Sequence, residues 1–122
     1  MVPIKLFEQK KVRTHFDNEK EIWYFSVIDV IEILTDSSIP KRYWSDLKKK
    51  LIKEGSQLYE KIVQLKFEAA DGKKYASDCL ETKDLLRLIQ SIPSPKAEPF
   101  KQWLAKTGYE RMQEISDPSK SI

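Results

Sequence analysis

A single cysteine, Cys79, excludes an intrachain disulfide and a cysteine cluster for zinc. That usage fits a reducing compartment, and Cys79 itself reads as a small core residue. Glycine is nearly as scarce. Gly55, Gly72 and Gly108 stand far apart, each where a turn or a helix end accounts for it, which argues against the clustered glycines of a phosphate-cradling loop. The one histidine, His15, sits beside Arg13 in a strand-forming run, so the nucleophile, base and orienting group of an acyl- or phosphoryl-transfer site are not assembled. Carboxylates are scattered as Asp29/Glu32, Asp71 and Asp78/Glu81/Asp84 among lysines, without a ligand motif, so neither a metal nor a cofactor is expected. No apolar run approaches the roughly 18 residues needed to span a bilayer. The opening Met-Val-Pro-Ile-Lys-Leu-Phe lacks the basic-then-apolar layout of a signal peptide. Together these absences lead to the expectation of a cytoplasmic domain that is not an enzyme and touches no membrane.

What is present is enough apolar material for one core. Hydrophobic residues make up 40% of the 122, with Trp23, Trp44, Trp103 and five Phe spread along the chain, enough to offset the entropy of ordering. Length and composition imply one domain over residues 1–115, followed by 116–122, whose Ser-Asp-Pro-Ser-Lys-Ser composition reads as a linker to an absent C-terminal region. The net charge of +3 is mild, so the placement of the charges carries the information.

Ile4 to Phe7, Val12 to Phe16 and Ile22 to Phe25 are β-favouring runs separated by polar stretches, and they predict an N-terminal β-meander. Ser26 precedes Val27 to Leu34 and can cap a short helix, with Asp29 completing an approximate capping box. A polar loop, Thr35 to Ile39, leads to Pro40 in the first turn of a second helix that runs to about Glu54 and stops at Gly55. Val63, Leu65, Phe67 and Ala69 then alternate with polar residues up to Asp71-Gly72, which offers the positive-φ positions of a tight turn before Lys73 to Ser77. Leu85, Leu86, Leu88, Ile89 and Ile92 mark a third, deeply buried helix from Thr82 to about Ser91. Phe100, Trp103 and Leu104 mark a fourth that Gly108 can end, with a turn or two more from Tyr109 to Ile115. The fold class is therefore α+β: a small compact domain with a β-meander, a short helix-loop-basic helix, a β-hairpin and C-terminal helices.

The second helix is the informative element. Between residues 41 and 53 it carries Lys41, Arg42, Lys48, Lys49, Lys50 and Lys53 against Asp46 alone, six cations minus one anion, or +5. Tyr43, Trp44, Leu47 and Leu51 share a packing face, while Arg42, Lys49 and Lys53 line the opposite one. Such a stripe can neutralise phosphates and release their counterions, although a lysine-rich face is often merely solvated. The hairpin adds Lys66, Lys73 and Lys74. A short helix, a basic helix and a basic hairpin follow one another in the order in which a winged-helix-like reader places a groove helix and a phosphate-touching wing. Trp23, Phe25 and Trp44 read as core rather than as platforms for unpaired bases.

The segment Trp23-Tyr24-Phe25-Ser26-Val27-Ile28-Asp29-Val30 resembles the opening of the Bro-N domain, the N-terminal module of baculovirus BRO proteins and prophage antirepressors. The longer run from Ile89 to Lys106, Ile-Gln-Ser-Ile-Pro-Ser-Pro-Lys-Ala-Glu-Pro-Phe-Lys-Gln-Trp-Leu-Ala-Lys, is similar to the bacterial BRO-family proteins often labelled DNA-damage-inducible protein D. Together the two bring nearly the whole chain, about residues 4 to 117, under the resemblance. One departure is Thr35-Asp36, where many Bro-N sequences carry Gly-Tyr. The resemblance implies a DNA-binding domain of an antirepressor or BRO-type transcriptional regulator, with no catalytic residues. Joined to the charge pattern, it makes Arg42, Lys49, Lys50, Lys53, Lys66, Lys73 and Lys74 the expected contacts to double-stranded DNA. The alternative is a protein-interaction module that binds a repressor through an apolar patch around Phe100 and Trp103. A second copy of the chain is a further candidate partner, since palindromic DNA is read by dimers.

Overall fold

The computed structural model describes residues 4–7 and 10–116, with side chains for Phe7 and for residues 10–106. The chain forms β1 (Ile4–Phe7), β2 (Lys10–Asp17), β3 (Ile22–Ser26), α1 (Val27–Thr35), α2 (Pro40–Lys53), a 3-10 turn (Gln57–Lys61), β4 (Val63–Glu68), β5 (Lys74–Glu81), α3 (Thr82–Ile89) and α4 (Ala97–Ser116). The domain is α+β, and the N-terminal strands form the meander expected from their β-branched and aromatic runs. The last residues, 117–122, to which most of the expected linker belongs, lie outside the described residues.

All strands join one antiparallel sheet in the order β1-β2-β3-β5-β4. The eight residues of β2 serve two neighbours: Lys10 to Arg13 pair with β1, and Thr14 to Asp17 with β3. The hairpin is thus not a free-standing wing, because β5 inserts beside β3 with Phe25 opposite Leu80. Alternation sends Trp23 and Phe25 to one face, where they join Val12, Leu80 and the apolar stripes of the helices in the main core. Tyr24, Phe67 and Cys79 form a smaller cluster on the other face. Burial pushes the Cys79 thiol up to about 12, so it stays protonated and acts as the small core residue expected.

Two polar ties set the helices onto the sheet. Arg13 of β2 reaches Asp29 of α1 through Nε at 2.9 Å and Nη2 at 3.1 Å, and its backbone N–H donates to the same carboxylate at 2.9 Å. The expected capping box is therefore not made: Asp29 serves Arg13, and Ser26 Oγ accepts from Arg13 Nη2 and meets Ser77 Oγ at 3.2 Å. A fixed bidentate, charge-assisted pair outcompetes a local cap because it is the stronger interaction. The α1 terminus places Asp36 in the left-handed region, φ 54°, which Asp tolerates better than most residues. Its carboxylate accepts from Lys10 at 2.6 Å and Lys96 at 3.1 Å, tying the loop to β2 and to the start of α4, and these hydrogen bonds lower its pKa.

At the other end of the fold, Phe7 packs edge-on against Phe100 at 5.1 Å and Trp103 at 5.8 Å, which fixes α4 against β1. Gly108 does not stop this helix, which continues to Ser116. A helical glycine costs only about 1 kcal/mol relative to alanine, and Glu110, Arg111, Met112, Gln113 and Glu114 are all good helix formers. Gly55 is the true stop. It closes α2 at φ 69°, with its N–H bonded to Ile52 O and the Ser56 N–H to Leu51 O, a Schellman end. A Cβ at Gly55 would meet nothing within 4 Å, so the penalty for adding one is purely conformational. Gly55→Ala is expected to destabilise the fold by about 1 kcal/mol, read by urea unfolding; an unchanged midpoint would show that the end of α2 is free to re-form otherwise.

Candidate nucleic-acid interface

The second helix starts where Pro40 presets the backbone of the first turn, and its sequence alternates packing and charged positions at helical spacing. Trp44 and Leu51 are buried, and Tyr43 and Leu47 pack partly against the core, as the spacing predicts. Lys41, Arg42, Lys49 and Lys53 are exposed and make no ion pair among the described residues. Lys50 is also exposed, with Glu54 one turn on at 4.0 Å, too long and too solvated to neutralise it.

Lys48 behaves differently. It turns inward and donates to Asp78 Oδ2 of β5 at 2.9 Å, with its ammonium 5.6 Å from the centre of the Trp44 ring. The Trp44 indole N–H donates to the same oxygen at 2.8 Å, and Gln64 Nε2 of β4 donates to Oδ1 at 3.1 Å. Burial alone raises the Asp78 pKa. The three hydrogen bonds, from Lys48, Trp44 and Gln64, together with the Lys48 charge, outweigh it and hold the carboxyl below its ordinary 3.8. One anion thus removes one cation from the stripe and fastens α2 to the base of the hairpin. Sequence reasoning counted Lys48 with the free cations and did not find this node. Its signal was an aspartate inside the buried run Ser77 to Leu80, with an indole N–H and a lysine four residues apart on a facing helix.

The hairpin carries the remaining expected residues. Its turn is longer than a two-residue loop: Gly72 N–H bonds to Ala69 O at 3.0 Å and Ala69 N–H to Lys73 O at 2.8 Å. Only Gly72 takes a positive φ, 82°. Asp71 instead accepts from the Lys73 N–H at 2.8 Å and the Tyr75 hydroxyl at 2.6 Å, rigidifying the tip. Lys66, Lys73 and Lys74 are exposed and make no ion pair among the described residues. In the β4–β5 register Gln64 faces Asp78, Lys66 faces Ala76 and Glu68 faces Lys74. Alternation therefore sets Lys66 and Lys74 on the sheet face that α2 occupies, about 7 and 13 Å along their strands from the Asp78 node. Lys73 lies in the turn itself.

Other candidates resolve plainly. His15 is exposed on β2, and the described residues contain no cluster of His, Cys, Asp and Glu able to hold a metal. Trp23, Phe25 and Trp44 are core residues. Phe100 is buried and half-buried Trp103 packs on it and on Phe7, so Phe100 itself presents no apolar patch. Among the described residues no helix is long and apolar enough to cross a membrane.

A five-stranded antiparallel sheet backed by helices, with α2 presenting unpaired cations beside a basic hairpin, defines a small α+β domain with a concentrated cationic surface among the described residues. The chain belongs to the BRO family, N-terminal domain: the Bro-N family model matches residues 11–110. That membership aligns it with antirepressor-type regulators. No curated protein and no solved structure matches it.

Because the Asp78 pKa is lower folded than unfolded, the stability it contributes is complete above the unfolded value of 3.8 and is lost as pH falls through the folded value. Asp78→Asn is expected to flatten the acid limb of stability against pH, and Asp78→Ala, which strands the Trp44 N–H, to cost about 2 kcal/mol at neutral pH. Urea unfolding from pH 7 downward reads both; an acid limb identical in wild type and Asp78→Asn would remove the node from the account.

Proposed function

We propose that the chain binds double-stranded DNA as the recognition domain of a cytoplasmic, antirepressor-type transcriptional regulator, and performs no chemistry of its own. The observation that carries this reading is the set of exposed, unpaired cations on α2, Lys41, Arg42, Lys49 and Lys53, in a helix whose only inward-turned lysine is already held by Asp78. A cation held in no ion pair is available to a phosphate, and each such contact releases counterion on binding. Arg42, Lys49, Lys50 and Lys53 approach the duplex from the helix, while Lys66, Lys73 and Lys74 contact backbone phosphate from the hairpin. From Arg42 to Lys53 the helix rises about 16 Å, enough to follow several phosphates along one groove. Membership of the BRO family supports the same reading.

A second reading, docking of a repressor or other regulatory protein, has one observation in its favour. Ile39 is 56% exposed at the entry to α2, in an open groove of about 500 Å³ that Ile28, Glu32, Pro40, Lys41 and Arg42 help to line. An exposed aliphatic residue beside cations suits an acidic peptide with an apolar anchor.

Fluorescence anisotropy with random-sequence duplex DNA over a salt series separates the two. The DNA reading expects affinity to fall steeply with log salt, and Lys49→Glu/Lys53→Glu to reduce that slope and weaken binding at least tenfold at low salt. Absence of binding at low salt, or an affinity that the double substitution leaves unchanged, would overturn it.

A further inference from the structure

We propose that the open edge of β4 is a self-association surface, through which two copies of this chain continue one antiparallel sheet across a two-fold axis at Phe67. In the observed order β4 is an edge strand, paired with β5 on one side only. The Ala69 N–H donates to Lys73 O across the hairpin, so alternation along the ladder aims the N–H and C=O of Gln64, Lys66 and Glu68 at the open side. An edge of this kind is a template for another strand unless something blocks it.

Lysine on an edge strand is the usual deterrent, and here its effect depends on register. Lys66 and Glu68 lie on the same face of β4, two residues apart, both exposed. An antiparallel copy aligned with Phe67 opposite Phe67 sets Lys66 against Glu68 of the second copy, and Glu68 against its Lys66. These are the residues whose backbone groups face outward, so each pair exchanges both ladder hydrogen bonds. A register placing Lys66 opposite Lys66 is disfavoured by like charge. The charge pattern is thus self-complementary in one alignment, which is what an isologous two-fold interface requires.

The opposite sheet face agrees. Leu65 is only partly buried at this edge, Val63 is 37% exposed and Tyr75, opposite Phe67, is 51% exposed. Pairing two copies places Leu65 against Ala69 of the other and extends the small cluster of Tyr24, Phe67 and Cys79 across the seam. The two-fold axis runs perpendicular to the sheet, so both α2 helices emerge on the same side. The association does not depend on the DNA reading, although it would hand a palindromic duplex two equivalent helices.

Sedimentation equilibrium of the 122-residue chain, without DNA, tests this. Wild type is expected to show a reversible monomer–dimer equilibrium at concentrations up to about 1 mM. Lys66→Pro removes an N–H aimed at the open edge, together with the exposed ammonium, but no hydrogen bond to β5, and is expected to leave a folded monomer, with circular dichroism confirming the fold. Lys66→Glu is expected to weaken the dimer about tenfold, and Lys66→Glu/Glu68→Lys to restore it. A wild-type chain monomeric throughout that range, a dimer insensitive to proline at residue 66, or a charge swap that fails to restore association would each overturn the proposal. Because mass is read in the absence of DNA, failure here leaves the DNA reading standing, and the reverse also holds.

Discussion

The Asp78 carboxylate pins α2 to the sheet at one point. Apolar packing by Trp44, Leu47 and Leu51 turns the charged face of the helix outward but leaves its exact roll and slide loosely set, since the hydrophobic force itself has no direction. Three donors from two elements, the Trp44 indole, the Lys48 ammonium and the Gln64 amide, converge on one buried carboxylate, and hydrogen bonds have direction. With the roll set, Arg42, Lys49 and Lys53 face away from the sheet. Because Gln64 and Asp78 are also partners in the β4–β5 register, the same node sets the hairpin beside the helix. Desolvating the carboxylate is costly, and it is tolerated because all three neighbours donate to it and one of them is a cation.

Asp29 does for α1 what Asp78 does for α2. Arg13 grips it through two nitrogens of the guanidinium and a backbone N–H while lying over the Phe67 ring at 5.2 Å, so β2, α1 and β4 meet at one side chain. Two acids thus orient two helices, and each neutralises a cation in doing so. What is left unpaired on α2 is a concentrated positive surface on a chain whose overall charge is mild. That division of labour explains why net charge alone was a poor guide to this domain.

Local chemistry was legible in the sequence and long-range pairing was not. The β-branched and aromatic runs marked the three N-terminal strands, Pro40 and Gly55 marked the ends of α2, and helical spacing separated Trp44 and Leu51 from Arg42, Lys49 and Lys53. The insertion of β5 beside β3 joins residues far apart in the chain, and no local pattern near Phe25 or Leu80 encodes it. Asp29 was legible as a helix-capping acid because the rule for caps is local; its capture by Arg13 depends on the meander having formed. Gly108 was misleading for the opposite reason: a weak local signal yielded to helix formers on both sides. The short 3-10 turn at Gln57–Lys61, started by Ser56 accepting the Leu58 N–H, had no apolar period to announce it. For the candidate site, the sequence identified the outward cations and missed the carboxylate that orients them.

The central claim is that α2 and the hairpin form one cationic surface held in fixed relation, and amide chemical-shift mapping with a short duplex DNA tests it most directly. The account predicts perturbed amides along α2 and at Lys66, Lys73 and Lys74, moving together with a single affinity. Perturbation confined to α3 and α4, or hairpin and helix signals that titrate with different affinities, would contradict it.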